Sequence, residues 1–315
     1  MLLHDVALYG GFVAFILLML AIDLGVFNRQ AHVVSLKEAV LWSIIWTIVA
    51  LAFNVGVFYF EGTTKALEFF TGYIVERSLS FDNIFVFVLI FSYFGVPSKY
   101  HHRALFWGVV GALITRALFI AAGAALISRF EWILYLFGAI LIVSGWKMLR
   151  NKDIEVHPDK NIFIRAARKI FPVASGFETA KFFVRKNRIL YITPLFLVLL
   201  TVETTDIVFA VDSIPAVFGV TQDPFIVFTS NIFAILGLRA TYFLLAGVME
   251  TFHYLSHGLS LVLVFIGTKM LLADVVHLSI TVSLGVVLTI LIIAVLASIA
   301  KRHREAKTSS AKPRT

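Results

Sequence analysis

Nine runs of apolar residues, near 7–27, 38–60, 67–94, 104–127, 131–149, 189–220, 224–248, 254–273 and 277–300, divide the chain. Each is about 20 residues or longer, enough helix to cross a hydrocarbon layer. Lipid offers no partner to backbone N–H and C=O groups, so a spanning segment is a helix or part of a closed barrel. The runs lack the short alternating segments of barrel strands. The pattern therefore predicts an all-α, polytopic membrane protein with about nine transmembrane helices. Composition agrees: 60% of residues are hydrophobic and 15% charged, with a mean hydropathy of +0.92, far from soluble usage. The opening "MLLHDVALYGG" carries no basic segment and no small-residue cleavage site follows, so the first run is expected to be a retained span.

Charge gives the expected orientation. Arg29, Lys37, Lys99 and Arg103, ten Lys or Arg between Arg150 and Arg188, and six from Lys301 to Arg314 fall on one side of a nine-span chain. Only Lys65 and Arg129 mark the other. This asymmetry predicts a cytoplasmic (inner) membrane protein of a bacterium, N-terminus outside and C-terminus in the cytoplasm. The net charge of +8 is read as topology rather than as a nucleic-acid surface. With no cysteine, disulfides and thiolate metal sites are excluded. Within the 151–188 connection, "NIFIRAARKIFP" (161–172) has the spacing of an interfacial helix, so membrane lipids are its expected partner and a protein partner the alternative. The tail 301–315 is expected to be basic and disordered.

The chain repeats itself. "DNIFVFVLIFSYFGV" (82–96) aligns with "DIVFAVDSIPAVFGV" (206–220), Arg116-Ala-Leu-Phe with Arg239-Ala-Thr-Tyr, and "GWKML" (145–149) with "GTKML" (267–271). Residues 67–150 and 189–273 thus form two three-helix repeats, which an odd span count inverts across the membrane, as in many transporters. Segments 1–66 (helices 1 and 2) and 274–300 (helix 9) lie outside them.

Six carboxylates fall within the apolar runs: Asp23, Glu76, Asp82, Glu203, Asp206 and Asp212. One ionised carboxylate at a helix centre costs about 2.5–3.5 kcal/mol on insertion scales, so these groups must be protonated, paired or hydrated. Glu203 and Asp206 share a helix face; Asp212, six residues on, points elsewhere in an ideal helix. Pro215 is expected to break the helix and free the Val211 carbonyl. Glu76, Ser80 and Asn83 form an i, i+4, i+7 stripe beside Asp82. Carboxylates, Asn83, Ser80, Ser213, Asn231 and a backbone carbonyl make an oxygen-only ligand set, suited to Mn²⁺, Ca²⁺ or Mg²⁺. The transported ion, rather than a permanent cofactor, is the expected occupant, exchanged against protons. Arg116 and Arg239 are read as charge-balancing in the empty state. The plainer alternative pairs the acids with Arg77, Arg116 and Arg239 as structural bridges, which leaves three acids unmatched. Asp23 has an equally good structural reading at the end of its span. His253 and His257 lie near a membrane boundary and are read as an interface pair rather than ligands. No nucleophile, base and oxyanion site can be assembled, so no enzyme is expected.

"ERSLSFDNIFVFVLIFSYFGVP" (76–97), "FFVRKNRILYITPL" (182–195), "DIVFAVDSIPAVF" (206–218), "DPFIVFTSNIFAILGLRATYFLLAG" (223–247) and "AIDLGVF" (21–27) resemble the TerC/Alx family of integral membrane proteins over nearly all of 1–300. That resemblance implies manganese(II) export at the cytoplasmic membrane, linked to alkaline pH response, with Glu76, Asp82, Glu203, Asp206 and Asp212 important. The family is associated with tellurium resistance, but a tellurium oxyanion would want a basic lining and this one is acidic. Plant relatives are associated with thylakoid assembly, which supplies the alternative: a membrane-biogenesis protein assisting translocation or delivering metal to exported proteins.

Overall fold

The computed structural model describes residues 2–22, 34–150, 161–174, 176–177, 181–186, 188–246 and 254–310. Asp23, His253 and most of the 301–315 tail's side chains lie outside what it describes. Helices dominate: α1 (Leu2–Ile22), α2 (Leu36–Glu61), α3 (Thr63–Phe94), α4 (Ser98–Arg129), α5 (Ile133–Arg150), α6 (Ile162–Ile170), α7 (Pro194–Phe218), α8 (Pro224–Leu236), α9 (Leu238–Leu245), α10 (Leu255–Leu271) and α11 (Ile280–Ser310). Among the described residues, every apolar run carries helix. Six segments are long and apolar enough to cross a membrane: α2, α4, α5, α7, α8 with α9, and the first part of α11. α1 and α10 contain shorter apolar helices, and α3 spans 32 residues despite its buried charges. The fold is that of a polytopic helical membrane protein.

Local chemistry sets the helix starts. Thr193, Asn161 and Asp223 cap α7, α6 and α8 by accepting backbone N–H bonds at 3.3 Å from Phe196, 2.9 Å from Phe163 and 3.0 Å from Phe225. Pro194 and Pro224 follow at the first helical position, where a missing N–H costs nothing. Gly62, at φ 87°, is the only residue between α2 and α3, a conformation open to glycine at little cost.

Besides the tail, expected to be disordered but helical in α11 as far as Ser310, two expectations need correction. Residues 189–192 do not begin a span: β1 (Phe183–Lys186) and β2 (Ile189–Ile192) pair antiparallel, with Arg185 opposite Leu190. Their β-branched and aromatic residues flank a turn with Arg188 at φ 65°. The second concerns the helix break. α7 continues through Pro215 to Phe218, so the proline leaves the Val211 carbonyl without its N–H partner but does not end the helix. The interruption falls instead at Gly237, between α8 and α9.

α3 packs on α8 and α4 on α7, while α5 lies against α10. Small residues let these backbones approach. A side chain at Gly138 would meet the Gly267 carbonyl oxygen at 2.9 Å, and one at Gly145 the Ser260 carbonyl at 2.7 Å. Aligning Gly145 with Gly267 pairs Gly138 with Ser260, so these two crossings are counterparts under the alignment. Outward, α2 exposes Leu41, Ile48 and Phe60, as a lipid-facing helix does.

Candidate ion site in the helix crossing

Where α3, α4, α7 and α8 meet, Arg116 of α4 is only 1% exposed. Its guanidinium donates to the Glu76 carboxylate of α3, to Ser213 Oγ at 2.9 Å, to Asn231 Oδ1 at 3.1 Å and, at the limit of hydrogen bonding, to Asp206 Oδ1 at 3.5 Å. Glu76 is fully buried and Asp206 nearly so. Asn231 is itself held, its Nδ2 donating to the Val227 carbonyl at 3.0 Å. Burying such a cluster is tolerable only when the charges meet, because removing one partner strands the other.

The charges do not balance. Two carboxylates face one guanidinium, and one oxygen of each, Glu76 Oε2 and Asp206 Oδ2, is buried with no hydrogen-bond partner among the described residues. Buried carboxylate oxygens are normally satisfied. The centre therefore has capacity for one more positive charge, as a proton or a cation.

The other candidate acids stand apart. Asp82 accepts from Ser256 Oγ of α10 at 3.2 Å. Asp212 accepts from Ser144 Oγ of α5 at 2.6 Å. Glu203 lies against Gly111 of α4, in space that a side chain there would occupy. Ser80 bonds back to the Glu76 carbonyl at 2.8 Å rather than entering the cluster. Asn83 and Arg239 are buried on α3 and α9. No group of three His, Asp or Glu side chains among the described residues could hold a metal ion. The expected gathering of five acids is thus corrected: Glu76 and Asp206 meet at Arg116, Glu203 lies one turn before Asp206 on the same helix, and Asp82 and Asp212 point elsewhere. The cause is helical geometry: Asp82 is six residues beyond Glu76, and Asp212 six beyond Asp206, which turns the second acid of each helix well away from the first. Each leading helix presents one acid to the centre and one to a serine on α10 or α5.

Arg77, which the plainer reading paired with an acid, makes a backbone contact that the sequence did not indicate. It reaches across to α8, donating to the Ala234 carbonyl at 3.3 Å, and its guanidinium fills the space left by the missing side chain of Gly237. A cation here satisfies a carbonyl at the end of an interrupted helix, where the partial charge is negative. A glycine inside an otherwise apolar run was the one available signal.

A helical membrane protein with a buried, charge-imbalanced centre is the class these observations define. The chain belongs to the integral membrane protein TerC family, whose family model matches residues 61–306. It is 51% identical over 304 residues to "Uncharacterized membrane protein STKORF319" of Myxococcus xanthus, covering 96% of this chain and 95% of the relative. It is 48% identical over 309 residues to "Putative membrane-bound redox modulator Alx" of Salmonella typhi, covering 95% and 96%. A membrane protein of Rickettsia bellii is 39% identical over 292 residues, covering 93% and 97%. No solved structure matches the chain.

Proposed function

We propose that the protein is a secondary transporter that exports a divalent metal, manganese(II) foremost, from the cytoplasm of a bacterium across its inner membrane. The observation that carries this reading is the pair of unpartnered oxygens on Glu76 and Asp206 beside Arg116. Arg116 acts as the resident counter-ion of the empty state. An arriving divalent ion takes Glu76 Oε2 and Asp206 Oδ2, with Ser213 Oγ and Asn231 Oδ1 within the same cluster, and Arg116 withdraws. All four donors are oxygens, the set that suits manganese better than copper or zinc. Glu203, one turn nearer the α7 N-terminus than Asp206, serves as a way-station from the cytoplasmic side. One proton taking the metal's place as Arg116 returns to the two carboxylates would restore the resting charge, giving metal/proton antiport that strengthens with an inward proton gradient. The inverted repeats supply the two halves that rock around the site.

The name carried by the Salmonella typhi relative suggests a redox role. With no cysteine in this chain, thiol–disulfide exchange by its own residues is excluded, so a redox effect would act through metal supply. The membrane-biogenesis reading draws on the basic 161–192 unit, which is free of the acidic centre, and leaves the two unpartnered oxygens without a use.

The test is Mn²⁺ binding to the purified chain, read from loss of the free-ion electron paramagnetic resonance signal. Wild type should bind one ion per chain, and the double variant Glu76→Gln/Asp206→Asn none. Equal binding by both would remove the site; no binding by wild type at millimolar Mn²⁺ would remove the metal.

A further inference from the structure

The connection between the repeats folds into a unit of its own. α6 lies along the first half of α7, with Ile164 buried against Ile192 and Leu197. Asn161 Nδ2 donates to Thr204 Oγ1 at 2.7 Å, anchoring the start of α6 beside Glu203. After α6 the chain pairs with β2, Ile192 N–H donating to the Pro172 carbonyl at 3.0 Å and Ala174 N–H to the Ile192 carbonyl at 2.9 Å. Thr193 ties the hairpin's start back to the span, its N–H bonding the Phe182 carbonyl at 2.9 Å. α6, the 172–174 segment and the hairpin are therefore one hydrogen-bonded piece fixed to a transmembrane helix.

The outward face of that piece is neither a soluble surface nor a buried one. Ile162 is 76% exposed, Phe163 59% and Ile170 69%, and Ile189 on the hairpin is 52% exposed. Between them stand exposed Arg165 and Lys169 on α6 and Arg185 and Arg188 on the hairpin. Large apolar side chains of this number exposed together mark an interaction surface. Interleaved with cations on an amphipathic helix, they match the boundary between phospholipid headgroups and acyl chains. A soluble acidic partner would complement the charge but leave the isoleucines and Phe163 unexplained. A bilayer complements both, and α7 already holds the unit at its surface.

We infer that α6 and the β1–β2 hairpin form a binding surface for acidic phospholipids, seating their anionic headgroups on Arg165, Lys169, Arg185 and Arg188 while Ile162, Phe163 and Ile170 enter the acyl boundary. The occupant is the lipid rather than free phosphate or a soluble protein. This assignment stands apart from metal transport and neither needs it nor supports it.

The full-length chain, reconstituted in nanodiscs holding equal phosphatidylglycerol and phosphatidylcholine and then re-extracted in mild detergent, reports its preference in the lipid that stays bound. Wild type should retain phosphatidylglycerol at least about tenfold over phosphatidylcholine. Arg165→Gln/Lys169→Gln/Arg185→Gln should lower that ratio by roughly fivefold per charge removed until it reaches the nanodisc value. Ile162→Ser/Phe163→Ser should release both lipids together. All variants should keep the wild-type thermal midpoint, since these side chains point outward. An unchanged ratio in the triple variant overturns the assignment and leaves the surface to a protein. Displacement of the retained lipid by inorganic phosphate alone overturns it too, because a headgroup site without an acyl boundary is then sufficient.

Discussion

Replacing Arg116 with alanine should destabilise the protein and, at the same time, make it responsive to metal. Arg116 is the cation for two buried carboxylates and a donor to Ser213 and Asn231. Stranding a buried charge by removing its partner costs about 3–5 kcal/mol, and the lost bonds from the charged guanidinium to Ser213 and Asn231 add to it. Protonation of the stranded acids offsets part of this, leaving an expected loss of about 3–5 kcal/mol. Thermal unfolding in detergent, followed by the fluorescence of the five tryptophans, measures it. Mn²⁺ should restore stability in the variant, by about 2.7 kcal/mol at 100 times its dissociation constant. In wild type the ion must first displace the guanidinium, so its effect should be smaller. Arg116→Lys should lie between, since an ammonium keeps the charge but not the planar fork. A variant as stable as wild type, or one that gains no more from Mn²⁺ than wild type does, would refute the resident-cation argument.

Other consequences follow from the backbone contacts. Gly237→Val places a side chain where the Arg77 guanidinium lies; the Ala234 carbonyl then loses its donor, for an expected loss of about 1–3 kcal/mol in the same assay, and an unchanged midpoint would show that Arg77 is not holding the interruption. Gly267→Leu would push α5 from α10, because a Cβ at Gly267 already meets the Gly138 carbonyl at 2.6 Å; overpacking should cost about 1–3 kcal/mol, and Gly145→Leu, its counterpart, should cost a similar amount. A harmless leucine at either position would contradict the close crossing.

The solvent was the easiest thing to read from the sequence. Apolar runs of spanning length predict helices because lipid leaves the backbone no other partner, and the helices fall where the runs are, apart from residues 189–192 and the tail, where α11 continues past its run to Ser310. There, "RILYI" joins the following span as an apolar run, although its β-branched residues pair with β1 instead. The acids were legible as unusual because of their cost at membrane depth. Which of them meet was not, since that depends on how four helices are rotated about their axes. Glu76 and Asp206 converge on Arg116, whereas Asp82 and Asp212, equally conspicuous in the sequence, bond serines on α10 and α5. Pro215 illustrates the limit of a local rule: it removes one N–H from α7, yet the helix continues past it to Phe218. Gly237 shows the reverse, a quiet residue at the real interruption, whose role becomes visible only when Arg77 arrives from 160 positions away in the chain.

The central claim is that Glu76 and Asp206 form the site through which a divalent cation leaves the cytoplasm. Its most direct measurement is ⁵⁴Mn²⁺ accumulation in inverted membrane vesicles containing wild type, Glu76→Gln or Asp206→Asn at equal abundance, with vesicles lacking the protein as the baseline. Wild type should accumulate the ion and both variants should stay at the baseline. Accumulation by either variant at the wild-type rate, or by none of the three above the baseline, would contradict the account.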